Sequence, residues 1–148
     1  MNKFIYILLV ILSISSCSPY QRAMKSDDVE FKTKVFTQQI EKKKYSKAIR
    51  LFEQYATSFR GKPQGEMPFY NYAKALYNTK QYYLAGYQFE NFAASYPKSE
   101  KREEAAFLAA ECFYRLSPIY SLDQVDTYKA IDKLQNFIDV YPNSTYLA

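Results

Sequence analysis

Three stretches of the chain repeat one arrangement of apolar and polar positions. They are Ala48-Ile49-Arg50-Leu51-Phe52-Glu53-Gln54-Tyr55, Ala85-Gly86-Tyr87-Gln88-Phe89-Glu90-Asn91-Phe92 and Ala130-Ile131-Asp132-Lys133-Leu134-Gln135-Asn136-Phe137. Within each copy the apolar positions fall at intervals of four, three and four, the spacing of one face of an α-helix. Each copy continues to an aromatic residue, Phe59, Tyr96 or Tyr141, and the second and third then show Pro97 and Pro142. Proline cannot continue a helix and biases the residue before it away from helical geometry. Each copy therefore predicts a helix that packs one face and stops at a set point. The first two copies are 37 residues apart (Ala48 to Ala85) and the last two 45 (Ala85 to Ala130).

A second helix is expected before each copy. In the middle unit it runs from about Pro68 to Asn78, with Phe69, Tyr72, Ala73 and Leu76 on one face. Ala73 and Ala85 lie twelve residues apart, followed by Phe89, Phe92 and Pro97. Small residues let paired helices approach closely, because axial separation depends on the side chains at the crossing. This order resembles the tetratricopeptide pattern, which implies an all-α solenoid of antiparallel helix pairs with repeats at about 27–62, 66–99 and 102–144. Repeat one departs from it, since Phe36 stands where a small residue is expected; that pair should pack more openly. Its first helix is expected to start near Asp27, with Glu30 completing a capping pair. In repeat three about nine extra residues, 117–125, separate the two helices; Pro118 should end one, and Asp126 or Thr127 cap the next.

The amino terminus follows different rules. Lys3 precedes an apolar run from Phe4 to Leu12 and on to Ile14, about eleven residues where a membrane-spanning helix needs about twenty. Such a segment reads as a signal peptide over residues 1–16. Ile14-Ser15-Ser16-Cys17 resembles a lipobox, which implies cleavage before Cys17 and acylation of its thiol and freed amine. Two or three acyl chains give a stable membrane anchor where one gives a marginal one. The second mature residue is Ser18, not an aspartate that would resemble an inner-membrane retention signal, and no acidic cluster follows Cys17. The expected location is the periplasmic face of the outer membrane. Residues 17–26 would then form a short flexible tether and residues 27–148 the repeat domain.

Composition narrows the chemistry. The chain has 148 residues, three glycines, 16 Tyr, 11 Phe and no His. Few glycines argue against a β-fold with many tight turns, and lack of histidine removes the commonest general base and metal ligand. Net charge is +5, but acids and bases interleave, as in Glu41-Lys42-Lys43-Lys44 and Lys101-Arg102-Glu103-Glu104, which reads as solvated helix faces. Nucleic-acid binding, which needs an uninterrupted basic stripe, is not expected. Cys112, within Ala109-Ala110-Glu111-Cys112-Phe113, reads as a small buried hydrophobe and not as half of a disulfide with Cys17. Catalysis is not expected either: Glu90, Glu103, Glu104 and Glu111 all fall on repeat helices, and a lytic transglycosylase would need a separate catalytic domain. The chain should need no cofactor or metal beyond the lipid on Cys17.

Lipobox, tether, repeats closing in Tyr96-Pro97-Lys98-Ser99 and Tyr141-Pro142-Asn143-Ser144, and the insertion beginning Ser117-Pro118 together resemble the BamD family of outer-membrane assembly lipoproteins. The segment from Leu122-Asp123-Gln124 to Thr127-Tyr128-Lys129-Ala130-Ile131 is especially similar, and the resemblance extends nearly to Ala148. It implies a scaffold of the β-barrel assembly machinery that binds BamA, other subunits and unfolded outer-membrane protein precursors. Members of the family usually carry about five repeats, so the resemblance also implies a chain truncated after its third. An alternative is a tetratricopeptide lipoprotein of envelope division or peptidoglycan synthesis. The tetratricopeptide resemblance further implies a concave groove lined by the first helix of each pair. Carried onto this sequence, it offers Tyr70, Lys74, Tyr77 and Asn78 in repeat two, Ala106, Ala110, Phe113 and Tyr114 in repeat three, and Thr33, Thr37, Ile40 and Glu41 in repeat one. Tyrosine and phenylalanine for apolar contact and Lys74 for a carboxylate would suit the aromatic carboxy-terminal signal of barrel precursors.

Overall fold

Helix crossings built on small side chains set the architecture. The computed structural model describes residues 18–119 and 122–147; Cys17 and the leader lie outside them. Seven α-helices and no strand occur among the described residues: α1 (Pro19–Lys25), α2 (Val29–Glu41), α3 (Tyr45–Glu53), α4 (Glu66–Asn78), α5 (Tyr82–Ser95), α6 (Arg102–Leu116) and α7 (Val125–Val140). Each helix from α2 onward packs on its neighbours in sequence, which makes the chain an all-α stack of antiparallel pairs of the tetratricopeptide kind.

The middle of the stack is its tightest part, with the most extensive interface between α5 and α6. Ala73, Ala85, Ala105, Ala109 and Cys112 are buried in one core with Leu76, Phe89 and Phe92. At Gly86 the fit is close: an added Cβ would lie 3.2 Å from the Cβ of Cys112 and 3.2 Å from the Phe113 ring. Burial pushes the Cys112 thiol up to about 12, so it stays protonated and behaves as a packing group.

Repeat one accommodates Phe36 by packing it, tilted, against Phe52, with ring centroids 5.2 Å apart, in a core that also buries Ala48. The α2–α3 interface is less extensive than α4–α5, as a bulky residue at the crossing requires. Phe52 is the hub of this second core, meeting Phe69 at 5.2 Å and Tyr72 at 4.9 Å from repeat two.

Several element ends differ from expectation. The α2 cap is Asp28, not Asp27: its carboxylate accepts from the Phe31 N–H at 3.0 Å. The middle first helix starts two residues early, at Glu66, after a 3₁₀ turn at Pro63–Gly65. In repeat one α3 stops at Glu53 and the chain tightens into a 3₁₀ turn at Ala56–Phe59, because Tyr55 turns inward against Phe52 and Phe59. Neither Asp126 nor Thr127 caps α7. The helix begins at Val125, whose N–H bonds to the Asp123 carboxylate at 3.1 Å. Residues 18–26, expected to be a flexible tether, contain α1. A capping box at Ser18 and Gln21 fixes its start, and Ala23 is fully buried in the repeat-one core.

Two turns share an unusual feature. Lys43 and Lys80, 37 residues apart at equivalent positions, adopt left-handed backbone with φ of 54° and 61°. In both, the hydrogen bonds are those of a Schellman motif: Lys43 N–H to the Ile40 carbonyl and Lys44 N–H to Gln39, then Lys80 N–H to Tyr77 and Gln81 N–H to Leu76. Glycine fits this position without strain, whereas a residue with a Cβ costs about 1–2 kcal/mol. On the outer face of α7, Tyr128, Ile131 and Ile138 are exposed at helical spacing, the kind of surface that stacked repeats cover with the next helix.

The close crossing makes a direct prediction. Ala85 is wholly buried, so Ala85→Leu should overpack α4 against α5 and destabilise the fold by about 1–3 kcal/mol. Urea denaturation followed by helical circular dichroism measures this; an unchanged midpoint would contradict the packing.

Candidate functional site

The face shared by α4 and α6 carries two polar clusters two helical turns apart. In the first, the Glu104 carboxylate accepts from Lys74 Nζ at 3.2 Å and from Lys101 Nζ at 3.1 Å. Both ammonium groups also lie over the Tyr70 ring, at 5.9 and 5.6 Å from its centroid. In the second, Tyr77 donates its hydroxyl to Glu111 at 2.9 Å. Arg115 pairs with the same carboxylate at 2.6 Å and lies over the rings of Tyr77 and Tyr82, each at 5.5 Å. Tyr70 and Glu104, like Tyr77 and Glu111, are 34 residues apart, the length of one tetratricopeptide unit.

Electrostatics follow from this layout. Burial pushes the Tyr70 hydroxyl well above the ordinary tyrosine range, and the neighbouring Glu104 charge pushes it further. The same two effects, through Glu111, raise Tyr77. Burial would raise Glu104 as well, but its interactions with Tyr70, Lys101 and Lys74 outweigh that and hold it below the usual carboxylate value. Two cations sharing one carboxylate leave the first cluster with one surplus positive charge. The second cluster is neutral.

Of the groove residues expected from sequence, the structure brings Tyr70, Lys74 and Tyr77 together. Lys74 is already engaged by Glu104, and Tyr70 is 5% exposed, so its ring forms the floor of the cluster more than its rim. Asn78 is exposed and donates to the Lys74 carbonyl at 2.7 Å. Tyr114 is 64% exposed and, three residues after Glu111, flanks the second cluster. Phe113 is elsewhere. It is buried against Gly86, meets Tyr87 at 5.8 Å and lies beneath Lys133 at 5.6 Å; the close α5–α6 crossing draws it inward. Ala106 and Ala110 similarly turn away, lining a cavity of about 240 Å³ with Lys133 and Phe137 between α5, α6 and α7. In repeat one, Ile40 packs into both hydrophobic cores.

Sequence reasoning missed Lys101, Glu104, Glu111 and Arg115 as members of the site. The signal was present, since stepping one 34-residue repeat on from Tyr70 and Tyr77 lands on Glu104 and Glu111. A larger cleft of about 930 Å³ lies at the far end of α5, between Arg60, Lys62, Phe69, Tyr96 and Lys98. No group of three acidic, cysteine or histidine residues that could hold a metal occurs among the described residues, and none of the described helices is long and apolar enough to cross a membrane.

Fold and site together define a helical repeat protein that presents an aromatic, charge-laced surface. The chain belongs to the YfiO family of outer membrane lipoproteins, whose model matches residues 26–148. That family is one of envelope lipoproteins of scaffold type. No protein of curated function matches the chain.

The shared carboxylate supports a prediction with a defined sign. Because the folded Glu104 sits below its unfolded value, its contribution to stability is present above the usual carboxylate range and is lost as pH falls through the folded value. With the pair partly exposed, the contribution is about 1 kcal/mol or less. Glu104→Gln should therefore lower the urea midpoint at pH 7 and converge with the parent as pH approaches 3. A difference that widens on acidification would contradict the assignment.

Proposed function

We propose that this protein is a non-enzymatic scaffold of the outer-membrane β-barrel assembly machinery, held by lipid on Cys17 at the periplasmic face of the outer membrane. It binds BamA and receives unfolded barrel precursors. Family membership over residues 26–148 carries the reading, and the α4–α6 surface is chemically suited to it. A precursor ending in an aromatic residue and a carboxylate would set its ring beside Tyr77 and Tyr114. Its carboxylate would meet the surplus charge of Lys74 and Lys101, competing with Glu104 instead of meeting an unpaired lysine. Such a site gives selectivity by charge and shape with modest affinity, which suits a handover step.

The test has two parts. Affinity purification from envelopes, with palmitate labelling of the mature amino terminus, should recover BamA with the lipidated protein; recovery of division or peptidoglycan-synthesis proteins instead would replace this reading. In parallel, a Lys74→Glu, Tyr77→Ala variant should lose about tenfold or more in affinity for peptides bearing an aromatic carboxy terminus. Full affinity in that variant would remove the groove from the account.

A further inference from the structure

We propose that the edge of the array formed by the α2–α3 and α4–α5 turns is a membrane-contact surface, with Lys42, Lys43, Lys44, Lys47 and Lys80 set against anionic lipid headgroups. Apart from Lys47, in the first turn of α3, the lysines lie in turns and not on helix faces, and none is interleaved with acids. Lys42, Lys43 and Lys44 lie in the turn itself, all exposed, and from residue 42 to residue 52 the chain holds five cations and no acid. Glu41 is the nearest acid before them. From residue 67 to residue 89 the only charged residues are Lys74 and Lys80.

Packing sets the two turns side by side. Ile40 and Tyr45, which flank the first, share a core with Leu76, Tyr77 and Tyr82, which flank the second. The left-handed positions are the second observation. At both equivalent sites a lysine occupies backbone that favours glycine. Attraction of a cation to a helix carboxy terminus accounts for Lys42, but it does not require a lysine at the strained position in both turns. Strained backbone retained at matching places marks a surface with a task. One turn beyond Lys80, Tyr83 and Leu84 are 54% and 47% exposed. Cations beside exposed tyrosine and leucine make the composition of an interfacial contact.

What selects a lipid surface over an acidic protein is the position of α1. It runs back along α2, so that Tyr20 lies beneath Lys47, with the ammonium 5.3 Å from the ring centroid. Ser18, two residues before Tyr20, directly follows the expected anchor residue, and one residue spans at most about 3.8 Å. The chain thus enters the fold close to the lysine-rich edge. This step rests on the proposed lipid anchor. An anchor combined with a basic patch holds a protein to an anionic bilayer far better than either does alone, and it would fix which way the groove faces.

The experiment uses the full lipidated protein, purified from envelopes and reconstituted on vesicles of phosphatidylcholine alone or with phosphatidylglycerol replacing part of it. Lysines are acetylated with a membrane-impermeant reagent, and each site is read by mass spectrometry. On phosphatidylglycerol, modification of Lys42, Lys43, Lys44 and Lys80 should slow about fivefold or more relative to the exposed Lys62 and Lys98. High salt, or phosphatidylcholine alone, should abolish the difference. In a Lys42→Gln, Lys43→Gln, Lys44→Gln variant the remaining protection at Lys80 should fall. Equal rates on the two vesicle types overturn the proposal, as does protection that appears only when soluble envelope protein is added. Failure of the anchor shows separately, as a chain that does not float with phosphatidylcholine vesicles; labelling on phosphatidylglycerol still reads the lysines.

Discussion

The distance between helix axes at the centre of the stack governs everything built around it. Ala73, Ala85, Gly86, Ala105 and Ala109 present little or no side chain where α4, α5 and α6 cross, and axial separation depends on those side chains. Close approach brings residues one repeat apart within hydrogen-bonding reach. Tyr77 meets Glu111 and Lys74 meets Glu104 only because α4 and α6 are held at that spacing by α5 between them. A larger residue at any of these crossings would separate the polar clusters as well as loosen the core. The chemistry of the α4–α6 face is therefore a consequence of the apolar packing behind it.

Much of this order is legible in the sequence, for a physical reason. The second helix of each pair buries one continuous face, so its apolar spacing is forced, and Pro97 and Pro142 mark where α5 and α7 end because proline admits no alternative. Element starts were less legible. Asp28 and Asp123 each supply a carboxylate one or a few residues from the expected cap, and sequence alone does not say which of two neighbouring acids will meet the N–H groups. Helix α1 is hard to read in the sequence because it is only seven residues long, too short to show a period; it is helical through its capping box and the burial of Ala23, not through intrinsic propensity. For the site, the structure scatters the groove positions carried over from the repeat pattern. They bring Tyr70, Lys74 and Tyr77 together, but they fail to anticipate that Gly86 would draw Phe113 inward.

Aromatic residues do two different jobs in the two halves of the array. Around Phe52 they fill volume: Phe36, Tyr55, Phe69 and Tyr72 crowd one ring, and this cluster takes the place of the small-residue crossing that repeat one lacks. Between α4 and α6, Tyr70 and Tyr77 lie under ammonium and guanidinium groups instead. Rings under cations keep long flexible side chains in place at low entropic cost, since tyrosine itself has few rotatable bonds. The cations are thereby displayed at fixed positions along this face.

Charge on this protein is arranged by depth as much as by sign. On the α4–α6 face Glu104 is matched with Lys74 across the helix boundary and with Lys101 beside it, and Glu111 with Arg115 of its own helix, so the surface is nearly neutral overall yet strongly patterned locally. In the proposed function, a partner with one terminal carboxylate would exchange with Glu104 at little net cost, because the displaced acid returns to solvent while its two cations keep a counter-charge. Burying an unpaired Lys74 would instead have made every anion a competitor and every empty state unfavourable. Pairing the site internally gives it a resting state that is satisfied without a partner. In the proposed function, it would also favour ligands that present an aromatic ring and a carboxylate at the spacing of the two clusters.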